Sequence, residues 1–182
     1  MEFGQSVPKE PGSRDSGGEY RFLAIEPKVG EPYYERLLEA FKRYWQVINP
    51  DFVDSVIDVG EGLKLERREA ILLQYWTAGF DAQVVRKDNE IVGFLIYQVV
   101  FDAVLLVKGL FVEPVHLGRG LAKGLIDSLN RPIRRVIFQT QKEFPPERLL
   151  GLVSGRTEKL GGDCDMETWE MTWEAKTKDQ PL

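Results

Sequence analysis

Apolar residues recur along this chain with two periods, and the switches between them mark out its elements. Tyr20 to Ile25 reads as a short strand that Glu26-Pro27 ends. Pro32 stands near a helix start. Tyr34, Leu38, Phe41, Trp45 and Ile48 follow at helical spacing until Asn49-Pro50 stops the run. A loop through Phe52 and Gly60-Glu61-Gly62 leads to a second helix, Leu65 to Thr77, with Leu65, Leu72, Leu73 and Trp76 on its inner face and Ala78-Gly79 at its end.

The period then changes to two. Asp81 to Lys87 and Glu90 to Val100 flank Asp88-Asn89, a hairpin turn, and Gly93 inside the second strand signals a bulge or a close backbone contact. Ala103 to Val112 follows after the short turn at Phe101-Asp102, so this part of the sheet is expected to be antiparallel. A glycine turn and an amphipathic helix with Leu121, Leu125, Ile126 and Leu129 on one face come next, ended by Asn130-Arg131-Pro132. Ile133 to Gln139 is then a strand reached by a right-handed crossover, parallel to 103–112. Pro145-Pro146 opens a helix over Glu147 to Leu160 with Gly161-Gly162 at its C-cap, and Met166 to Trp173 is a last strand. Residues 1–18 read as a flexible arm, 19–174 as one domain and 175–182 as a polar tail. The order is β-α-α-β-β-β-α-β-α-β, an α/β (α+β) class with a mixed, mostly antiparallel central sheet flanked by helices.

Composition changes the picture by exclusion. The 182 residues suffice for one substantial core. A net charge of −5 speaks against the basic face that nucleic acid requires. The most apolar region, Ile91 to Val112, is broken by Gln98, Asp102 and Lys108, so it reads as buried strands and not as a membrane span. With Cys164 as the one cysteine and His116 as the one histidine, an intramolecular disulfide is ruled out, Cys–His dyads and most zinc sites are not expected, and no metal site is expected. A reducing compartment, the cytoplasm, follows from the cysteine usage and from the lack of a basic-then-apolar leader.

The candidate chemistry lies between Lys108 and Leu129. A turn on Gly118 and Gly120 lets backbone approach a ligand closely, and the N–H groups of the helix start after it lack intrahelical partners. Such a turn suits a phosphate. A Walker-type loop fails, because Lys123 precedes Gly124 and Leu125 follows it. Gly118, Gly120 and Gly124 after a strand, with Glu143 about 20 residues on, imitate a dinucleotide fingerprint. That fold, however, needs a mainly parallel sheet with the motif in its first unit.

The whole order resembles the GNAT superfamily of acetyl-CoA-dependent N-acetyltransferases. Leu117-Gly118-Arg119-Gly120-Leu121-Ala122 is similar to its Gln/Arg-x-x-Gly-x-Gly/Ala signature, with Leu117 where a polar residue is usual. Val112-Glu113-Pro114 resembles the family's Val-x-Pro strand end, and Asp88 to Phe94 its turn into the third strand. Thr157-Glu158-Lys159-Leu160-Gly161 looks like its Tyr-Glu-Lys-Leu-Gly helix end.

The resemblance implies acetyl-CoA (coenzyme A) as cofactor, lying where the fourth and fifth strands splay apart. Backbone of Leu110, Phe111 and Val112 would hold the pantetheine arm and thioester, with an N–H near Val112 stabilising an oxyanion. The segment Leu117, Gly118, Arg119, Gly120, Leu121 and Ala122 would hold the pyrophosphate. A primary amine would attack directly, after losing its proton to a base. Glu113 is the nearest carboxylate to the strand end and the candidate base; a solvated strand-end glutamate is the other reading. His116 is a second option for the base and also a candidate for CoA contact or surface. Thr157 stands where the family's tyrosine acid is usual. The expected partner is a small-molecule or peptide amine acceptor, with homodimer formation open. The competing function is a catalytically silent acyl-CoA-binding or partner-binding module on the same fold.

Overall fold

The computed structural model describes residues 19–25, 32–101, 103–141, 157–162 and 166–172. The expected arm (1–18), the span 147–156 of the last helix, Glu143, Cys164 and the tail (175–182) lie outside them.

The first helix, α1 (Pro32–Ile48), buries Tyr34, Leu37, Leu38 and Phe41, the 3–4 spacing read from the sequence. It packs on a seven-stranded sheet. In chain order the strands of that sheet are β1 (Tyr20–Ile25), β4 (Asp81–Lys87), β5 (Glu90–Val100), β6 (Val104–Val112), β7 (Arg135–Gln141), β8 (Thr157–Gly162) and β9 (Met166–Thr172). Their spatial order is β1-β4-β5-β6-β7-β9-β8. Every neighbouring pair is antiparallel except β6 and β7, which are parallel as the crossover through α3 (Leu121–Asp127) requires. The mixed, mostly antiparallel class expected from the sequence is therefore the observed one.

Two apolar layers sandwich the sheet. On one face α1 and α2 (Arg67–Thr77) cover Val84, Phe94, Ile96 and Phe111; on the other α3 covers Val85, Leu95, Leu105, Val136 and Phe138. Gly93 shows both features expected of it. A register shift lies beside it at Val85/Arg86, and a Cβ there would sit 2.8 Å from the Phe111 carbonyl oxygen. Among the described residues no helix is long and apolar enough to cross a membrane.

Two element assignments need correction. Leu65 belongs to no helix: it lies on β3 (Lys64–Glu66), which pairs with β2 (Val56–Asp58) in a small hairpin, and α2 starts at Arg67. Positive φ at Gly60, Glu61 and Gly62 reverses the chain there, and three-residue strands are too short to show a period. The Arg68 guanidinium then anchors the hairpin base, donating to Asp54 Oδ2 at 2.5 Å and to the Lys42 carbonyl at 3.1 Å.

The second correction concerns the helix expected to run to Leu160 with Gly161-Gly162 at its C-cap. Residues 157–162 form strand β8, with Thr157, Glu158 and Lys159 opposite Met171, Glu170 and Trp169. Pairing with β9 overrides a local pattern that fits a helix end equally well.

Candidate active site

β6 changes partners along its length. It pairs with β5 from Val104 to Val112, but with β7 only from Val104 to Val107, opposite Arg135 to Phe138. Beyond that row β7 continues with β9 as far as Gln141, while β6 stays with β5. Beyond Val107 and Phe138 the two strands no longer pair. The cause sits in β6. Ile96 pairs with Gly109 and Tyr97 with Val107, so Lys108 is an extra, bulged residue that bends the strand. A charged residue followed by glycine in an aliphatic strand is the sequence signal for this bulge, one that the alternation pattern alone does not reveal.

Where this pairing stops, β6 has backbone groups without a strand partner among the described residues. The Glu113 N–H donates to the Val92 carbonyl at 2.9 Å, which fixes the phase of the ladder. By alternation Gly109 and Phe111 face β5, and the N–H and C=O of Leu110 and Val112 face the opened side. No described strand pairs with them there. An unpaired strand edge inside a sheet is a ready partner for another extended chain of amides.

This edge leads directly into the glycine turn. After a single 3-10 turn, Pro114–His116, the chain passes Gly118 at φ 76° and Gly120 at φ 73°, left-handed values that disfavour any other residue. A Cβ on either glycine would meet nothing within 4 Å, so open space lies in front of the turn. Leu117 is 63% exposed, and Leu121 turns inward to the α3 core at 5%. Gly124 shares the spacing of the other two but serves packing. A Cβ there would lie 2.5 Å from Phe22 Cζ, so its absence lets α3 sit down on β1.

Leu110 and Val112 on the opened edge are thus followed, after the single 3-10 turn, by Leu117, Gly118, Arg119, Gly120, Leu121 and Ala122 at the turn into α3. Phe111, expected among the cofactor contacts, offers the opened side neither group: its backbone faces β5, and its ring is buried against Phe94 and Tyr44 at centroid distances of 5.7 and 5.8 Å. Glu113 is not a free strand-end carboxylate. Its Oε1 is 2.8 Å from Arg43 Nε, and Arg43 also donates to the Ile91 carbonyl at 3.0 Å, tying α1 to the end of β6.

Thr157 lies elsewhere. Through Met171 and Val136 it shares a row with Leu105, at the closed end of the seam and three strands from β6. That is roughly 14 Å sideways, while Glu113 is eight residues further along, so the two are not brought together. On α1, Tyr44 packs against the aromatic core, and burial pushes its phenol up to about 12. It stays neutral at any physiological pH.

Comparison with known proteins supplies a family for this arrangement. Residues 34–132, just over half of the 182, match the Acetyltransferase (GNAT) family model. No curated protein sequence matches the chain. Among solved structures, PaiA N-acetyltransferase from Thermoplasma acidophilum in complex with coenzyme A aligns with a TM-score of 0.60 at 10% identity, covering 85% of this chain and 99% of its own. A GNAT-family acetyltransferase from Staphylococcus aureus Mu50 aligns at 0.56 and 14% identity, over 86% and 100%. The ribosomal-protein-S18-alanine N-acetyltransferase from Escherichia coli aligns at 0.53 and 10%, over 90% and 100%. With the family model running from α1 past α3, across the bulged strand and the glycine turn, the chain belongs to the GNAT acetyltransferase family.

Proposed function

We propose that this protein is an acetyl-CoA-dependent N-acetyltransferase that transfers an acetyl group to a primary amine. The observation that carries the reading is the opened edge of β6, where Leu110 and Val112 have no strand partner among the described residues, running into the glycine turn. The residues present fit coenzyme A. An extended pantetheine arm carries amides that match a free strand edge. The left-handed glycines with empty space before them suit a diphosphate, whose oxygens would accept hydrogen bonds from the N–H groups of Gly118 to Ala122. When bound, acetyl-CoA supplies an activated acyl thioester.

The chain's own groups do the rest. The Val112 N–H is the donor next to the strand end and is placed to hold developing negative charge on a carbonyl oxygen. Glu113 is the carboxylate for the amine's proton, with Arg43 holding one of its oxygens and setting its orientation. A departing thiol with an ordinary pKa of about 8.5 leaves without a side-chain acid, so the position of Thr157 three strands away is no obstacle. The acceptor is a small amine or a peptide, and the single cysteine of the chain suits work in the cytoplasm.

Isothermal titration with acetyl-CoA tests the cofactor, and binding between micromolar and millimolar is expected; no heat in that range defeats the reading. A catalytically silent CoA-binding module is the second reading. It is favoured by the exposed Leu117, where the family has a polar residue, and by the engagement of Glu113 with Arg43. Free-thiol release over an amine panel separates the two, since only the enzyme shows acceptor-dependent release.

A further inference from the structure

The glycine turn is fastened to the far edge of the sheet. Tyr20, the first residue of β1, lies in register with Lys87 at the end of β4. Its hydroxyl is 3.0 Å from Nδ1 of His116, the chain's one histidine and the last residue of the 3-10 turn before Leu117. The two rings meet edge to face at 82° with centroids 5.7 Å apart, so the contact sets angle as well as distance. The guanidinium carbon of Arg119 and the ammonium of Lys87 each lie 6.0 Å from the centroid of the same ring. Two residues along β1, Phe22 receives Gly124 of α3 in the contact that a Cβ would forbid.

These contacts bracket the turn: β1 grips His116 before Gly118 and Gly124 after Gly120. The bracketing matters because the turn cannot hold itself. Gly118 and Gly120 have no side chains, their ideal Cβ positions touch nothing, and glycine loses the most conformational freedom when ordered. A cradle of backbone donors binds well only if it is ordered before the ligand arrives. The ring of Tyr20 also gathers Lys87, His116 and Arg119 around itself in a chain of net charge −5.

Resting on the coenzyme A reading above, we infer that Tyr20 is a positioning residue for the diphosphate-binding turn and that it acts through His116. The hydroxyl–imidazole bond fixes the entry to the turn, the ring holds the Arg119 guanidinium beside it, and the N–H groups of Gly118 to Ala122 are thereby pre-aimed at an anionic diphosphate.

The test is a double-mutant cycle read in coenzyme A affinity by calorimetry on the full chain, with Tyr20→Phe, His116→Ala, both together, and His116→Asn. Tyr20→Phe removes one oxygen and keeps the ring, and asparagine places a polar atom near the position of Nδ1. Each of the first two substitutions is expected to raise the Kd for coenzyme A about three- to tenfold, the scale of one part-buried hydrogen bond. The double variant should be no weaker than the weaker single one, because both remove the same bond. His116→Asn should stay within about twofold of the parent, a rescue that general loosening of the fold would not produce. Unfolding midpoints without ligand report whether each variant is folded. A Tyr20→Phe protein that binds coenzyme A as the parent does, or effects that simply add, would overturn the latch and leave the cofactor reading standing. A parent protein with no affinity for coenzyme A would overturn both.

Discussion

Along one edge β6 pairs with β5 from Val104 to Val112; along the other it pairs with β7 for four residues and then stops. The two edges belong to the same nine residues, so side-chain identity does not separate them. Packing does. On the β5 side, Phe94 and Phe111 stack with Tyr44 at centroid distances of 5.6 to 5.8 Å, and the Arg43–Glu113 pair ties off the end. On the β7 side, pairing stops at Val107, next to the Lys108 bulge, while β7 continues with β9 alone. One edge is a core seam and the other is a row of backbone donors and acceptors that no described strand pairs with. The site arises where pairing lapses, not where unusual residues gather.

The comparison can be broken from the packed edge first. Phe94→Ala removes a fully buried ring shared by Phe41, Tyr44 and Phe111 and should cost about 3–5 kcal/mol in urea unfolding. Alkali should loosen the same layer. Burial pushes Tyr44 up to about 12, and burial with the nearby Glu69 does the same for Tyr34. The folded protein therefore holds these protons more tightly than the unfolded chain, whose tyrosines titrate near 10. Stability is complete below pH 10 and falls as pH rises toward 12, by on the order of 2 kcal/mol, with phenolate absorbance appearing together with unfolding.

Gly93→Ala should follow at about 1–3 kcal/mol, because its Cβ would press on the Phe111 carbonyl at 2.8 Å and on Val85 Cγ1 at 2.9 Å. The open side should answer in the opposite sense. Gly120→Ala meets no atom and carries only the strain of φ 73°, about 1 kcal/mol of stability. Its larger effect is expected in coenzyme A affinity, measured by titration, because the turn itself is displaced.

Much of the packed half was legible in the sequence, because its signals are local. Alternation in 81–100 and the Asp88-Asn89 turn, where Asp88 has φ 55°, specify a hairpin. Helical spacing from Tyr34 to Ile48 specifies α1. Gly118 and Gly120 announced a tight turn, because glycine alone is free of the Cβ that restricts backbone conformation, and the structure gives both a left-handed φ. What escaped depends on partners remote in sequence. The three residues of β3 and the six of β8 take strand form from their neighbours, so local pattern puts Leu65 and Thr157 on helices where pairing puts them on strands. Gly124 matched the spacing of the other glycines, yet its reason lies in Phe22. Tyr20 and His116 meet across 96 residues, a separation no periodicity encodes.

Residue-resolved hydrogen exchange across β6, with and without acetyl-CoA, tests the central claim most directly. The amides of Gly109 and Phe111, which face β5, should be protected throughout. Those of Leu110 and Val112 should exchange rapidly in the free protein and become protected when acetyl-CoA is added. If Leu110 and Val112 are already protected without ligand, or are unchanged by it, the opened edge is not where the cofactor lies.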